Sequence, residues 1–553
     1  MPAPFLCAST LSVRRAGVDL GSRADNGSGM AEDLEIAART AAAALQAGRG
    51  TATDHATLGW YQAATGDHAG AAAQFERALQ LNPREVEAML GLAGLHRMAG
   101  RLRDAALHCD AAIALAPAYA EAWLERAYVM AAGGAMNEAR RCYREVLTHA
   151  PDAATLLAAA HAGLAALAAR DGEASEGRRH ARDALAADPD HAGALAALAT
   201  IELEAGEAQV ARDLVEPALA RMPSPGPERM ELLHALGDAC NRLRDPAAAF
   251  AAYARAKQDF AAIHAGTFAG RPSHRDFIEG IAAGLADMDV SAWPAAANAA
   301  GTPPHIFVLG YPRSGNTLLE NVLASLPGTS AIEEMPTLRE ADMAFLAEPD
   351  GLARFAGEDE AALAPYRRAY WQRAGQALGR DTAGLALVDM DPLKSIRLPL
   401  IARLFPAARV LLVRRDPRDV VWSCFRTSFA LSNAAMDFTT LESAARHYDA
   451  LMRLTELALA RLPMAVLEVP YHRMVQDFDA MTHEICQFAG LVWTEDLRRF
   501  DRTARARGVS TASARQVLRG LFDGTRQWEP YAEYLAPVMP ILQPWIEKLG
   551  YAS

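Results

Sequence analysis

The sequence predicts a protein of two domains, an α-helical repeat solenoid followed by an α/β domain with a mostly parallel sheet and a P-loop-like nucleotide site. Three observations carry this prediction. Prolines recur about every 34 residues in the first half, strand and helix patterns alternate in the second half, and a glycine-rich loop follows the first predicted strand. A chain of 553 residues is also too long for one ordinary domain. The predicted divisions are a disordered segment over 1–35, a solenoid over 36–265, a linker over 266–302 and the α/β domain over 303–553.

Composition excludes several classes of protein. A net charge of −12 argues against a general nucleic-acid binder. The six cysteines are scattered without metal-ligand spacing, as in a protein with reduced thiols. No apolar run approaches the roughly 18 residues of a membrane span, and the first residues, MPAPFLCASTLSVRRAG, place arginines after the apolar stretch, the reverse of a secretory signal. We therefore expect a cytoplasmic protein, whose start is either Met1 or Met30.

The first half is repetitive. Prolines fall at spacings of 34, 34, 38 and 34 residues, and the same positions before each proline are filled alike. The turn carries glycine, the second helix begins with a buried-type alanine, and a large apolar residue follows one turn later. The sets are Gly66, Gly100, Gly134 and Gly206; Ala71, Ala105, Ala139 and Ala211; and Phe75, Tyr143 and Val215. The 38-residue interval predicts a longer turn between helices over 169–177.

This pattern resembles the tetratricopeptide repeat, a 34-residue pair of antiparallel helices. The resemblance implies a solenoid whose concave face binds a peptide or a partner protein. A spacer that only scaffolds or dimerises the protein is the alternative interpretation.

In the second half, the predicted strands are Ile306–Leu309, Leu385–Val388, Val410–Val413 and Ala465–Val469. Ligands of parallel sheets bind beyond the carboxyl ends of the strands. The loop after the first strand fits Gly-x-x-x-x-Gly-Lys-Ser/Thr at Gly310, Gly315 and Thr317, with Asn316 in place of the lysine. Its backbone N–H groups and the helix that follows predict an anion site. After the third strand, RRDPRDVVWS places Arg415 and Ser423 where they could hold a second phosphate, unless this stretch is a solvated turn.

Over roughly 303–549 these motifs together resemble the sulfotransferase family, which transfers a sulfuryl group from 3′-phosphoadenosine 5′-phosphosulfate. The resemblance implies that this nucleotide is the co-substrate and that no metal is needed. With the repeats in front, the chain resembles the tetratricopeptide-repeat sulfotransferases, whose catalytic half is akin to tyrosylprotein sulfotransferases. PYHRMV matches a further family stretch only at its tyrosine, and the tail VSTASARQVLRGLFDGTRQWEPY resembles the segment that closes over the cofactor. The implied donor-binding residues are Arg313, Ser314, Gly315, Asn316, Thr317, Arg415, Ser423, Tyr471, Ser513, Arg519 and Gly520.

The resemblance also implies a catalytic base. In the tyrosylprotein branch the base is a glutamate about twenty-one residues after the loop arginine, and that count from Arg313 reaches Glu334 in AIEEMP. We expect the neighbouring Glu333 to raise the pKa of Glu334 by like-charge repulsion. A surface turn is the alternative interpretation of this pair.

One position departs from the family. Its members carry a lysine after the second strand that assists the leaving group, and Met390 stands there. Lys394 could reach back if the segment turns into a helix; otherwise Arg397, or no side chain, takes the role. The predicted catalytic residues are therefore Glu334 and Lys394. His447, His472 and Cys424 are interpreted as structural side chains.

Two other functions remain open. The α/β domain could be catalytically decayed and only sense nucleotide while the repeats bind protein, or it could be a divergent P-loop kinase that uses Asp389 as its acid. The sequence does not choose among tyrosine, sugar and phenol as the hydroxyl acceptor.

Overall fold

The computed structural model describes residues 27–294, 302–348, 350–507, 517–518 and 520–551, with side chains from residue 33 onward. The chain divides into two compact units, Met1–Asp259 and Phe260–Ser553. Within the described residues, none of the helices is both long enough and apolar enough for a bilayer crossing. The described cysteines are buried thiols.

The first unit consists of helices joined by short turns. They are α1 Gly27–Gln46, α2 Ala52–Ala64, α3 His68–Leu81, α4 Val86–Met98, α5 Leu102–Leu115, α6 Ala120–Ala132, α7 Met136–His149, α8 Ala154–Asp171, α9 Ala174–Ala187, α10 Ala192–Glu204, α11 Ala208–Ala220, α12 Pro227–Arg242 and α13 Pro246–His264, which continues into the second unit.

The predicted repeat positions explain why these helices pair. The four turn glycines all have positive φ, and the four alanines of the second helices are completely buried. Phe75 fills the space between two first helices, where a Cβ at Gly59 or Gly91 would lie 2.7 or 2.3 Å from its ring. The helical tetratricopeptide-type unit is thus confirmed.

Two details of the first unit differ from the predictions. Helix α1 begins at Gly27, so residues 27–35 of the segment predicted as disordered are helical, because MAEDLEIAA is rich in good helix formers. The 38-residue interval does not hold a longer turn. Its extra residues lengthen α8, which has 18 residues where α6 has 13, and only Gly172 and Glu173 separate α8 from α9.

The second unit contains a five-stranded, entirely parallel sheet in the order β2-β3-β1-β4-β5. The strands are β1 His305–Gly310, β2 Thr329–Glu333, β3 Ala386–Met390, β4 Arg409–Arg414 and β5 Ala465–Pro470. The helices are α14 His274–Asp287, α15 Asn316–Ala324, α16 Arg339–Phe345, α17 Gly351–Gly357, α18 Glu360–Leu378, α19 Leu398–Leu404, α20 Pro417–Arg426, α21 Asn433–Asp437, α22 Leu441–Arg461, α23 Tyr471–Gln476, α24 Phe478–Ala489, α25 Phe500–Arg507, α26 Ala532–Leu535 and α27 Met539–Lys548. The predicted α/β fold class is confirmed, with all four predicted strands present.

Strand β2 was not predicted. Its sequence, TSAIE, is short and holds two small hydroxyl residues, so it lacks the apolar run that marks the central strands. It lies at the edge of the sheet, where only alternate residues are buried, and pairs with β3. This strand ends directly before Glu334.

The predicted linker over 266–302 contains helix α14. A capping box formed by Ser273 and Asp276 starts the helix, and Ile278, Ile281 and Leu285 form its buried stripe. Helix α14 packs against α22. The prediction of a linker is therefore wrong for residues 274–287, which belong to the second unit; residues 295–301 lie outside the described residues.

Candidate active site

The register of the sheet aligns the ends of its strands. Glu333 and Val308 both pair with Met390, Gly310 pairs with Val413, and Arg414 pairs with Pro470. Because the strands are parallel, the chain leaves them at one common edge. The residues that follow at this edge are Tyr311, Glu334, Asp391, Arg415 and Tyr471.

The loop between β1 and α15 is held by its own polar groups. The Ser314 N–H and the Asn316 side-chain amide both donate to the Tyr311 carbonyl, at 3.1 and 2.9 Å. Arg313 has φ 70° and Gly315 has φ 110°, so the chain turns sharply before the helix begins at Asn316. Asn316 thus stabilises the loop at the position where a P-loop has its lysine, and its buried Oδ1 has no hydrogen-bond partner among the described residues.

Arg415 and Ser423 lie beside this loop, as the sequence predicted. The Arg313 Nε donates to Ser423 Oγ at 3.1 Å. Arg415 Nη1 donates to the Arg313 carbonyl at 2.8 Å, and its Nη2 donates to the Gly524 carbonyl. The Nε of Arg415 is also buried, and it has no hydrogen-bond partner among the described residues. A buried donor of this kind is available to an anion.

Three guanidinium groups lie close enough in this region to affect one another. Burial, and next to it the repulsion of Arg426, lowers the pKa of Arg313 to about 10, with Arg415 acting in the same direction. Arg426 lies one turn after Ser423 on α20, where its Nη2 donates to Gln527 Oε1 at 2.6 Å. It was not among the predicted residues, although its spacing of three from Ser423 places both on one face of the helix. Such a group of guanidinium cations favours an anionic ligand.

Tyr471 joins three parts of the site. A Cβ on Gly315 would lie 2.6 Å from its ring, and Arg415 lies over the ring at 4.6 Å from the centroid. Its hydroxyl donates to the Phe522 carbonyl at 3.1 Å and accepts the Gly524 N–H at 3.2 Å. The ring therefore holds the chain after residue 520 against the glycine-rich loop.

The tail residues are only partly described. Ser513 and Arg519 lie outside the described residues. Gly520 has φ 91°, and its N–H donates to the Val517 carbonyl at 3.2 Å. Trp528, further along, stacks under Arg418 at 4.1 Å, and its buried indole N–H has no hydrogen-bond partner among the described residues.

Glu334 occupies a strained position at the end of β2. Its φ is 51°, and its N–H donates to the Met390 carbonyl at 2.7 Å. Burial of its carboxyl raises its pKa to about 7, followed by repulsion from Asp391, then Glu333 and Glu320, while Arg313 acts in the opposite direction. The predicted direction is found, but Glu333 is not its main cause. The residue as a whole is exposed, so water screens part of this effect and can exchange protons with the carboxyl.

Lys394 has other partners than the sequence predicted. The segment does turn, into a short 3₁₀ helix over Pro392–Arg397, but the ammonium group is buried with 1% of its side chain exposed. It donates to the Asp389 carboxylate, to Thr337 Oγ1 at 3.1 Å and to the Met335 carbonyl at 3.2 Å. This arrangement argues against a direct role on the leaving group, because an ammonium paired with a buried carboxylate does not turn toward a substrate.

The other residues considered for catalysis near the end of β3 are also held by contacts within the protein. Met390 is fully buried in the apolar core with Leu318 and Val322 of α15. Arg397 Nε donates to both carboxylate oxygens of Asp342, at 2.7 and 2.9 Å. Asp389 accepts hydrogen bonds from Thr337 Oγ1 at 2.7 Å and from the Tyr370 hydroxyl at 3.0 Å, besides Lys394. A kinase that used this carboxylate for Mg²⁺ would first have to break that network.

The side chains interpreted as structural are in keeping with that view. His447 is fully buried, and Cys424 is buried with its thiol 3.6 Å from the Pro312 carbonyl. His472 Nδ1 lies 3.1 Å from the Tyr551 hydroxyl.

Fold and site together define a class: a parallel α/β domain with a glycine-containing loop at the carboxyl edge of its sheet, in which asparagine stands at the lysine position of P-loop kinases, preceded in the chain by a helical repeat unit. Residues 304–495 match the model of the sulfotransferase family, and residues 56–120 match that of the tetratricopeptide repeat. The chain therefore carries tetratricopeptide repeats followed by a sulfotransferase-family domain.

Individual proteins resemble separate parts of the chain. An uncharacterized protein of Aquifex aeolicus (strain VF5) is 28% identical over 257 residues, which are 44% of this chain and 33% of that protein. The chain thus spans about a third of the length of this curated relative. The sulfotransferase domain of the Synechococcus PCC 7002 olefin synthase is 22% identical, covering 43% of this chain and 98% of that one, with a TM-score of 0.27. A tetratricopeptide-repeat protein of Thermus thermophilus is 23% identical, covering 34% and 99%, with a TM-score of 0.30.

Proposed function

We propose that this protein is a metal-independent sulfotransferase that moves a sulfuryl group from 3′-phosphoadenosine 5′-phosphosulfate to a hydroxyl acceptor. One observation carries the proposal. The anion loop, the pair Arg415 and Ser423, and the carboxyl of Glu334 all follow strand ends at the same edge of the sheet, and the Arg313 Nε joins two of these parts by its hydrogen bond to Ser423.

The residues present fit such a donor. Backbone N–H groups of Arg313 and of residues 315–317 at the start of α15 would hold the 5′-phosphosulfate, while the Ser314 N–H holds the loop. The unpartnered Nε of Arg415, with Ser423 and Arg426, would hold the 3′-phosphate. Tyr471 keeps the tail against the loop, and Ser513, Arg519 and Gly520 remain proposed donor contacts.

Glu334 is proposed as the general base. A carboxyl with a pKa raised to about 7 can accept the proton of an acceptor hydroxyl near neutral pH. In the proposed transfer, the acceptor oxygen forms its bond to sulfur as the bond from sulfur to the 5′-phosphate oxygen breaks. Glu334 takes the hydroxyl proton, and Arg313 stabilises charge on the leaving oxygen.

Lys394 is proposed as a positioning residue for this base. Its hydrogen bond to the Met335 carbonyl holds the residue directly after Glu334, while the Met390 carbonyl holds Glu334 itself. The two bonds fix a backbone turn that a glutamate does not adopt readily.

The repeats support a peptide or protein acceptor, because solenoids of this type present concave binding faces. The buried thiols of the described cysteines support a reducing compartment such as the cytoplasm.

Two measurements test the proposal. Isothermal titration calorimetry should show binding of 3′-phosphoadenosine 5′-phosphate without added metal and with EDTA present, and Arg415→Ala should weaken it. Transfer from labelled donor to a panel of tyrosine peptides, sugars and phenols should then be lost in Glu334→Gln. Binding of Mg²⁺-ATP in preference to the bisphosphate would overturn the proposal in favour of a kinase.

A second candidate function has an observation in its favour. Met390 is buried in the core, while Lys394 and Arg397 are both held by carboxylates, so neither replaces the family lysine. A nucleotide-sensing scaffold would bind 3′-phosphoadenosine 5′-phosphate tightly and show no donor turnover with any acceptor.

A further inference from the structure

A chain of three hydrogen-bonded side chains joins helix α14 to the anion loop. The Tyr311 hydroxyl lies 2.7 Å from His447 Nδ1, and His447 Nε2 lies 2.8 Å from His274 Nδ1. Tyr311 and His447 are buried, and His274 is the first residue of α14, directly after the N-cap residue Ser273. None of the three takes part in the proposed chemistry.

The direction of these hydrogen bonds follows from counting donors. The buried Tyr311 hydroxyl has His447 Nδ1 as its partner, so its proton is donated there. His447 Nδ1 is then an acceptor, and its Nε2 carries the proton. That proton is donated to His274 Nδ1. The proton of neutral His274 is then on Nε2, which takes no part in the hydrogen bonds among the three side chains.

The geometry is that of a hydrogen bond rather than a metal chelate. Two described clusters bring histidine and carboxylate ligand atoms within 4.8 Å of one another, His161, His180 and Asp183 in the first unit and His274, Asp437 and His447 in the second. The centroids of His274 and His447 are 5.1 Å apart and the rings are inclined by 17°, so the facing nitrogens lie almost on the line between the rings. Two imidazole ligands of one tetrahedral zinc ion would have nitrogens about 3.3 Å apart, with their lone pairs meeting at an angle.

Asp437, the third member of that cluster, already has a structural task. Its Oδ2 accepts the Arg275 N–H at 3.1 Å and so caps the first turn of α14. The end of α21 is thereby bonded to the first turn of α14, next to His274, where the series of hydrogen bonds to Tyr311 begins.

Tyr311, at the other end of the three hydrogen-bonded side chains, holds the anion loop in its conformation. The Tyr311 carbonyl accepts both bonds that hold the loop, from the Ser314 N–H and the Asn316 amide. A tyrosine anchored through its hydroxyl keeps that carbonyl in place, and its ring also packs edge-on against Tyr448 at 4.9 Å.

We infer that His274 and His447 are positioning residues of the anion loop. Through them, the position of α14 affects how tightly the loop binds its nucleotide. The nucleotide part rests on the proposed function. The link between α14 and the loop does not, because it concerns the ligand-free protein.

The test uses four variants of the full chain. Tyr311→Phe removes only the terminal hydroxyl, and Tyr448→Phe is the matched control, since it removes a hydroxyl from the neighbouring buried ring outside the hydrogen-bonded chain. His274→Phe removes the acceptor, and His274→Asn restores one near the position of Nδ1. Hydrogen–deuterium exchange of the peptide over 305–318 is measured without ligand, and the Kd of 3′-phosphoadenosine 5′-phosphate is measured by calorimetry.

We expect Tyr311→Phe and His274→Phe to speed exchange in the loop peptide and to raise the Kd by about 3- to 10-fold, the effect of one lost hydrogen bond. Tyr448→Phe should leave both readouts unchanged, and His274→Asn should recover most of the loss. Faster exchange confined to α14 in His274→Phe, with the loop unchanged, would overturn the inference. Stoichiometric zinc in purified protein that is lost in His274→Phe would also overturn it. If the wild type binds no bisphosphate, the proposed function fails while the exchange data still decide this inference.

Discussion

Replacing Lys394 tests how much its buried ion pair stabilises the second unit and the turn after Glu334. Lys394→Met removes the cation from a pair in which both side chains are at most 1% exposed. Asp389 would then remain as an uncompensated buried charge, which costs about 3–5 kcal/mol of folding free energy. The turn after Glu334 would also lose the hydrogen bond to the Met335 carbonyl.

A second substitution removes the charge imbalance. In Lys394→Met/Asp389→Asn the side chain at 389 is neutral and still offers an oxygen to Thr337 Oγ1 and to the Tyr370 hydroxyl. What remains lost is the pair of hydrogen bonds from the ammonium to Thr337 and Met335, about 1–3 kcal/mol together. The double variant should therefore be more stable than the single one.

The assay is hydrogen exchange of the β3 peptide in a urea series, which reports the opening free energy of this part of the second unit alone. Lys548→Met is the matched control, because Lys548 is half exposed in its pair with Glu456 and its removal should cost at most about 1 kcal/mol. Equal losses in Lys394→Met and Lys548→Met would refute the buried-pair argument. If the double variant regains stability, binds the bisphosphate and transfers at the wild-type rate, the bond from Lys394 to the Met335 carbonyl does not position Glu334.

The site leads to three further predictions. Glu334→Gln should lower transfer by about 10²- to 10⁴-fold without changing the Kd of the bisphosphate, and the wild-type rate should fall as pH drops through about 7, as the base is protonated. Gly315→Ala should abolish bisphosphate binding, since its Cβ would meet the Tyr471 ring at 2.6 Å in a residue with φ 110°, whereas Gly328→Ala, also at positive φ but in open space, should bind normally. Burial, and next to it Arg397, lowers the pKa of His274 to about 4 from 6.5, and burial, followed by repulsion from His274 and Arg275, lowers the pKa of His447, while Asp437 is occupied as a helix cap. The unfolded chain thus binds more protons below pH 6.5, so the free energy of unfolding should fall between pH 6.5 and 4, less so in His274→Asn.

The parts of the molecule that the sequence predicted are those whose contacts are local. Each helical repeat pairs with its neighbours, so spacing alone predicts the turn glycines, the buried alanines and the large apolar position that Phe75 fills. The loop at Gly315 and the turn from Arg415 to Ser423 each lie within one strand–helix unit. Their meeting follows from the rule for parallel sheets, and the hydrogen bond from Arg313 to Ser423 agrees with it.

The parts that were missed depend on distant partners. Strand β2 is recognisable only through its pairing with β3, and so Glu334 was reached by counting from Arg313 rather than from a strand end. Lys394 could not be assigned from its own segment, because Thr337 and Met335 lie almost sixty residues away in sequence. Helix α14 carries a capping box and an apolar stripe that could have been found in the predicted linker.

Lys394 and Arg415 each hold a strained segment of backbone at the site. Among the described residues, the non-glycine residues with positive φ are Arg244, Arg313, Glu334 and Arg526, and such a conformation costs about 1–2 kcal/mol. Arg313 and Glu334 are the two side chains proposed to act on the leaving group and the acceptor. A buried cation holds each of them by the backbone, since Arg415 donates to the Arg313 carbonyl and Lys394 donates to the carbonyl directly after Glu334. A strained backbone relaxes when no other group holds it. A buried lysine that never touches substrate can therefore still be required for transfer, because it keeps Glu334 in a backbone conformation that the chain would otherwise leave.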